Sequence, residues 1–188
     1  MNPEAPPSKM TEKQLYEMVS ESLRQRFVAK NYRCHLEVTA YGRFTELLKQ
    51  AVKHDIIFSF LKSKRDCPDI TGYVERNLRE DDITRFMEKN VVSPEVYDFV
   101  TIEIKKEKIT LEHIYQAKRY ADLFKAKYGF LLTTELIPEE IKRLSYVSAI
   151  LSISQGTLKI AQFSEVDGEV FDHTWFPDNP FVNRYAEV

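Results

Sequence analysis

Two acids and a lysine stand where strand-forming segments would be expected to hold apolar residues. Asp69 follows Pro68 directly at the mouth of a β-prone run, "CPDITGYV" (67–74), and Glu103 and Lys105 interrupt the most strand-like stretch of the chain, "YDFVTIEIKKEKI" (97–109). Side chains alternate along a strand, so Val100, Ile102 and Ile104 share one face while Phe99, Thr101, Glu103 and Lys105 share the other. The three β-branched residues imply burial, and a buried carboxylate needs a partner. Lys105 is one available partner and a divalent cation is another. Asp69 and Glu103 from neighbouring strands, with the main-chain carbonyl of Ile104, make the oxygen-rich and partly open shell that Mg²⁺ prefers, with Mn²⁺ as a substitute. A water on such a cation becomes more acidic, and an ammonium beside it steadies charge growing on phosphorus, so the chemistry that suits this set is phosphodiester hydrolysis.

The elements that must place these residues are legible from periodicity. "TEKQLYEMVSESLRQRFVAK" opens with a cap-like Thr11 and carries Leu15, Tyr16, Val19, Leu23 and Phe27 at helical spacing, which predicts a long amphipathic helix over 11–30. "CHLEVTAYG" (34–42) predicts a strand ending in a turn, "HDIIFSFLK" (54–62) is an apolar run, and strands follow near 68–75 and 97–105. Polar residues 76–95 behave as an insertion. A helix near 110–127, a strand at 128–135, a helix from Pro138 and a strand at 157–165 complete the pattern. The first ten residues read as a loose tail, residues 11–165 as one domain, and 166–188 as an aromatic, Pro-bearing arm. Trp175, Phe176 and Phe181 of that arm suit either a homodimer contact or cover for a sheet edge.

At 188 residues, 43% hydrophobic and 30% charged, the chain can bury one core and is too apolar for a disordered polymer. With 27 basic and 29 acidic residues there is no global basic field, although "LKSKR", "KKEK" and "AKRY" can form a positive rim around an acidic centre. Two cysteines without a CxxC pair exclude a disulfide framework and a four-cysteine cluster. The four histidines lack HExxH spacing. No apolar run reaches the ~18 residues of a membrane span, and "MNPEAPPSK" lacks an apolar signal core, so the expectation is a cytoplasmic protein without membrane contact.

Pro68-Asp69 followed by Glu103-Ile104-Lys105 resembles the PD-(D/E)xK nuclease superfamily, the restriction-endonuclease-like fold. The next helix adds "QAKRY", with Gln116 and Tyr120 similar to the QxxxY motif of the RecB-like branch. The cluster-bearing members of that branch do not fit, because their cysteines are missing. The resemblance covers residues 11–135, and the long gap between the two acids falls on the 76–95 insertion. It implies an α/β fold with a central mixed sheet flanked by helices in an αβββαβ core. It also implies a Mg²⁺-dependent nuclease acting on nucleic acid, most readily DNA, with Asp69, Glu103, Lys105 and Gln116 in the chemistry and Asp69, Glu103 and Ile104 on the metal. Tyr120, Lys106, Lys118 and Arg119 would contact substrate.

The family's first helix also carries a glutamate, and Glu12, Glu17 and Glu21 are available. At 100° per residue Glu12 falls on the Leu15/Val19/Leu23 face and the other two oppose it, which ranks Glu12 first as a metal ligand. Acids favoured by a helix N-terminus explain all three equally well. Two other functions fit the same residues: a catalytically idle nuclease-fold protein that binds nucleic acid or a protein partner, and a plain α/β interaction protein whose acids and lysines form surface ion pairs.

Overall fold

A computed structural model describes residues 11–63, 65–75 and 97–182, so the expected tail (1–10) and insertion (76–95) lie outside the described residues. Helix α1 (Glu12–Ala29) begins at a capping box in which Thr11 Oγ1 accepts from Gln14 N–H and the Gln14 side chain accepts from Thr11 N–H. Its inner stripe, Leu15, Tyr16, Val19, Leu23 and Phe27, is buried, and Asn31 at φ 61° turns the chain away after its end. Strand β1 (Cys34–Val38) leads through α2 (Glu46–Ala51) and a 3₁₀ turn (Asp55–Ser59) to β2 (Ile70–Glu75). Then come β3 (Tyr97–Lys105), α3 (Leu111–Leu123), β4 (Tyr128–Thr133), α4 (Glu139–Val147), a hairpin of β5 (Ser152–Ile153) and β6 (Gly156–Thr157), and β7 (Lys159–Gln162).

Five strands form one mixed sheet in the order β1-β2-β3-β4-β7. β1 to β3 are antiparallel neighbours; β4 and β7 continue the sheet in parallel with β3. Alternation divides the core as the pattern requires. Ile70, Val74, Val100, Ile102, Phe130 and Leu132 pack under α1 with Trp175, whereas Leu131 and Ile160 pack under α3 and α4 with Ile57 and Leu61. Each large side chain fully buried in these layers contributes about 1.5–3 kcal/mol relative to exposure. Gly72 permits the β1–β2 approach, since a Cβ there would stand 1.9 Å from the main-chain oxygen of His35.

The segment 34–42 is a strand to Val38 that ends in a turn, as expected, with Thr39 and Ala40 turning their N–H groups onto the carbonyl of Asp69 at 2.9 and 3.1 Å. The apolar run at 54–62 is a 3₁₀ turn plus loop whose Ile57 and Leu61 plug the α3 side of the sheet. One expectation shifts. Strand 157–165 divides between β6 and β7. The described part of the C-terminal arm covers the free edge of β7: Phe176 exchanges two 2.8 Å hydrogen bonds with Ile160. Trp175 and Phe176 are buried within this chain, and Phe181 packs against the α1 layer. Among the described residues, no helix is long and apolar enough to cross a membrane.

Candidate active site

The register of β2 against β3 sets the site. Ile70 lies opposite Ile102, and β2 begins there, so the N–H of Ile104 on that side has no ladder partner. The side chain of Asp69 takes the place of one: its Oδ2 accepts from Ile104 N–H at 2.7 Å. Asp69 is itself clamped, since its carbonyl accepts from Thr39 and Ala40 and the Thr39 hydroxyl donates to Pro68 O at 2.8 Å. A strand residue aims its N–H and C=O to the same side, so the Ile104 carbonyl also points past the start of β2.

Glu103 is 3% exposed. Its Oε1 accepts from Lys105 Nζ at 2.8 Å, the same ammonium donates to Gln116 Oε1 at 3.1 Å, and Gln116 Nε2 lies 3.4 Å from the Tyr120 hydroxyl. The other oxygen, Glu103 Oε2, is buried and has no hydrogen-bond partner among the described residues. Thr101 Oγ1, Arg26 Nε and Trp175 Nε1 share that condition. Of the four, only Glu103 lines the cavity that gathers this set, and only it offers a carboxylate oxygen.

That cavity, about 630 Å³, is walled by Glu12, Tyr16, Asp69, Glu103, Lys105 and Gln116, with Arg65 and Lys106 on its rim. Burial raises the Asp69 carboxyl to about 6 against the pull of the Ile104 N–H and Lys105. Burial, and then the charge of Asp69, raise Glu103 to about 7 against Lys105 and Arg119. Both acids of this cavity resist ionisation, and functional sites concentrate such shifts.

Glu12 lines the cavity but is exposed rather than buried, and its Oε1 accepts from the Tyr16 hydroxyl at 2.8 Å. Glu17 and Glu21 line other surfaces of α1. Among the described residues no group of three or more His, Cys, Asp or Glu side chains is arranged to hold a metal ion. The oxygen donors on this cavity that could hold a divalent cation are those of Asp69, Glu103 and the Ile104 carbonyl, with water completing the shell.

The four residues expected on substrate separate. Lys106 stands at the rim and pairs with Glu165 at 2.7 Å. Arg119 is exposed; its Nη2 donates to the Arg65 carbonyl at 3.2 Å and to the Tyr120 hydroxyl at 3.0 Å. Lys118 reaches toward the Ala149 carbonyl at 3.5 Å and does not line the cavity. Tyr120 is 1% exposed, so its ring belongs to the core and is not open to stacking on a base; its hydroxyl donates to Arg65 O at 2.9 Å. Leu111 on the first turn of α3 is 43% exposed, whereas Tyr120 packs on the helix's buried face. At ~100° per residue Tyr120 lies about 60° from Ala117 and Leu111 about 120° from it.

Tyr16 reaches the site although the sequence marked it only as core; its signal was the i,i+4 spacing from Glu12. Arg65, the last residue of the basic cluster "LKSKR", also lines the cavity. No family model, no curated protein and no solved structure matches the chain.

Proposed function

We propose that this protein is a divalent-cation-dependent nuclease that hydrolyses phosphodiester bonds, with DNA as its substrate and Mg²⁺ or Mn²⁺ as its ion. The observation that carries the proposal is Glu103 Oε2: a buried carboxylate oxygen, unpartnered among the described residues, on the wall that Asp69 shares. Leaving such an oxygen unsatisfied costs free energy that a cation would offset. Among the described residues α1, β1, β2, β3, α3 and β4 follow in that order, with α2 and a 3₁₀ turn between β1 and β2; with the acids at the β2–β3 junction, this supports a restriction-endonuclease-like core.

A divalent cation there would supply Lewis-acid polarisation of the phosphate and a more acidic water. The chain supplies the rest. Asp69 and Glu103 would hold the ion, the first being fixed by the Ile104 N–H and the second by Lys105. Lys105 Nζ, fixed between Glu103 and Gln116, presents an ammonium to charge developing on the phosphoryl oxygens. Gln116 orients that ammonium, and Arg65, Lys106 and Arg119 give the flanking phosphates a positive rim. An idle nuclease fold is less well supported, because all four expected catalytic side chains, Asp69, Glu103, Lys105 and Gln116, are present and wall a single cavity.

The test is incubation of the purified chain with supercoiled, linear and single-stranded DNA and with RNA, in Mg²⁺ or Mn²⁺ and in chelator. Cation-dependent DNA cleavage that disappears in Asp69→Ala and Glu103→Ala supports the proposal. A chain inert toward every substrate, or equally active with chelator, refutes it.

A further inference from the structure

Tyr16 unites two environments. Its ring is 4% exposed and packs in the α1 layer with Leu15, Val19 and Ile70, while its hydroxyl opens on the cavity of Asp69 and Glu103. There it donates to Glu12 Oε1 at 2.8 Å, on the same cavity that Asp69 lines. A phenol has one proton to give, and here Glu12 receives it. One hydroxyl anchored in the core therefore fixes a carboxylate from the first turn of α1 at the cavity that Asp69, just before β2, also lines. Glu12 is an exposed side chain on the first turn of α1.

Resting on the metal-site reading, we infer that Tyr16 is a positioning residue for the cation: its hydroxyl holds Glu12 against the cavity wall beside Asp69, and the affinity of the site for a divalent ion depends on that hold. Glu12 then acts at the ion through its field and through water, consistent with the absence of a three-carboxylate cluster among the described residues. Glu12 and Asp69 line the same cavity. Removing an outer-shell partner of a metal site typically changes affinity by about 10–100-fold.

The test is Mn²⁺ binding to the full chain, followed by the electron paramagnetic resonance of the free ion, for the wild type, Tyr16→Phe, Glu12→Gln and the double variant. Phenylalanine keeps the buried ring, and a melting curve verifies that the fold is intact. The expected result is a Kd raised about tenfold in each single variant. The double variant should be no weaker than the weaker single, because both remove one unit. An unchanged Kd in Tyr16→Phe, or losses that multiply in the double variant, overturns the role of Tyr16 while leaving the metal site standing. If Tyr16→Phe fails to fold, Glu12→Gln decides alone, an unchanged Kd being contrary. A wild type that binds no Mn²⁺ overturns this role and the metal-site reading together.

Discussion

Lys105 Nζ lies 2.8 Å from Glu103 Oε1, and the second oxygen of that carboxylate is buried with no partner among the described residues. The two residues project from the same face of β3, so one lysine satisfies half of an acid that the sheet has almost closed over. A cation at the second oxygen would satisfy the other half.

Lys105→Ala removes the partner of a 3% exposed acid and the ammonium that contacts Gln116 Oε1. Turnover should fall about 10²–10³-fold, as for loss of one preorganised charge donor, with substrate affinity changed far less. Single-turnover cleavage at saturating enzyme measures this. Full activity in the variant would move the role to Lys106 or Lys108.

Glu103→Gln should separate stability from activity. The amide keeps an acceptor for Lys105 and removes a buried charge that Asp69 opposes. In the metal-free protein near pH 8 the thermal midpoint should rise, by roughly 2–4 °C for each ~1 kcal/mol relieved in a chain of this size. Cleavage should be lost. A variant that is both less stable and fully active contradicts the assignment.

The raised carboxyls give a pH dependence with a definite sign. In the unfolded chain such groups lose their protons near ~4, whereas folded Asp69 and Glu103 hold theirs to about 6 and about 7. Across that window the folded state binds more protons, so metal-free stability falls as pH rises from ~4 to ~7, and the full penalty stands above it. A cation needs the ionised forms, so Mg²⁺ should raise the melting temperature strongly at about pH 8 and little at about pH 5. Equal Mg²⁺ shifts at both values would count against ligation by these acids.

Gln116 and Tyr120 divide between chemistry and support. Gln116→Ala frees Lys105 and should lower turnover about tenfold, near the ~1.4 kcal/mol of one positioned hydrogen bond, with the melting temperature unchanged. Tyr120→Phe removes the hydroxyl that holds the Arg65 carbonyl and accepts from Arg119. It should cost about 1 kcal/mol of stability and weaken substrate binding through the displaced arginines. Chemical denaturation alongside cleavage kinetics distinguishes the two, and an active, unperturbed Gln116→Ala would make the glutamine a bystander.

The sequence was most legible where one rule governs. Strand β3 has the bounds that alternation predicts, Tyr97–Lys105, and Thr11 announces α1 by its capping pattern. The pairing of Asp69 with the Ile104 N–H was not legible, because it depends on where β2 starts against β3, a register no local pattern specifies. Tyr120 read as a substrate contact because its i,i+4 relation to Gln116 is true of the helix, while the loop whose Arg65 carbonyl accepts from its hydroxyl is remote in sequence. Tyr16 read as core, and its ring is core; only the fold shows that the hydroxyl emerges at the acids.

Crystals soaked in Mn²⁺, with data collected at the metal's absorption edge, test the central claim most directly. The expected result is an anomalous peak between Asp69 and Glu103 at ~2.2 Å from a carboxylate oxygen of each, near the distances hard divalent cations adopt with oxygen, with Glu103 Oε2 as one ligand. A map with no peak there at saturating Mn²⁺, the two acids still held only by the Ile104 N–H and Lys105, would contradict it.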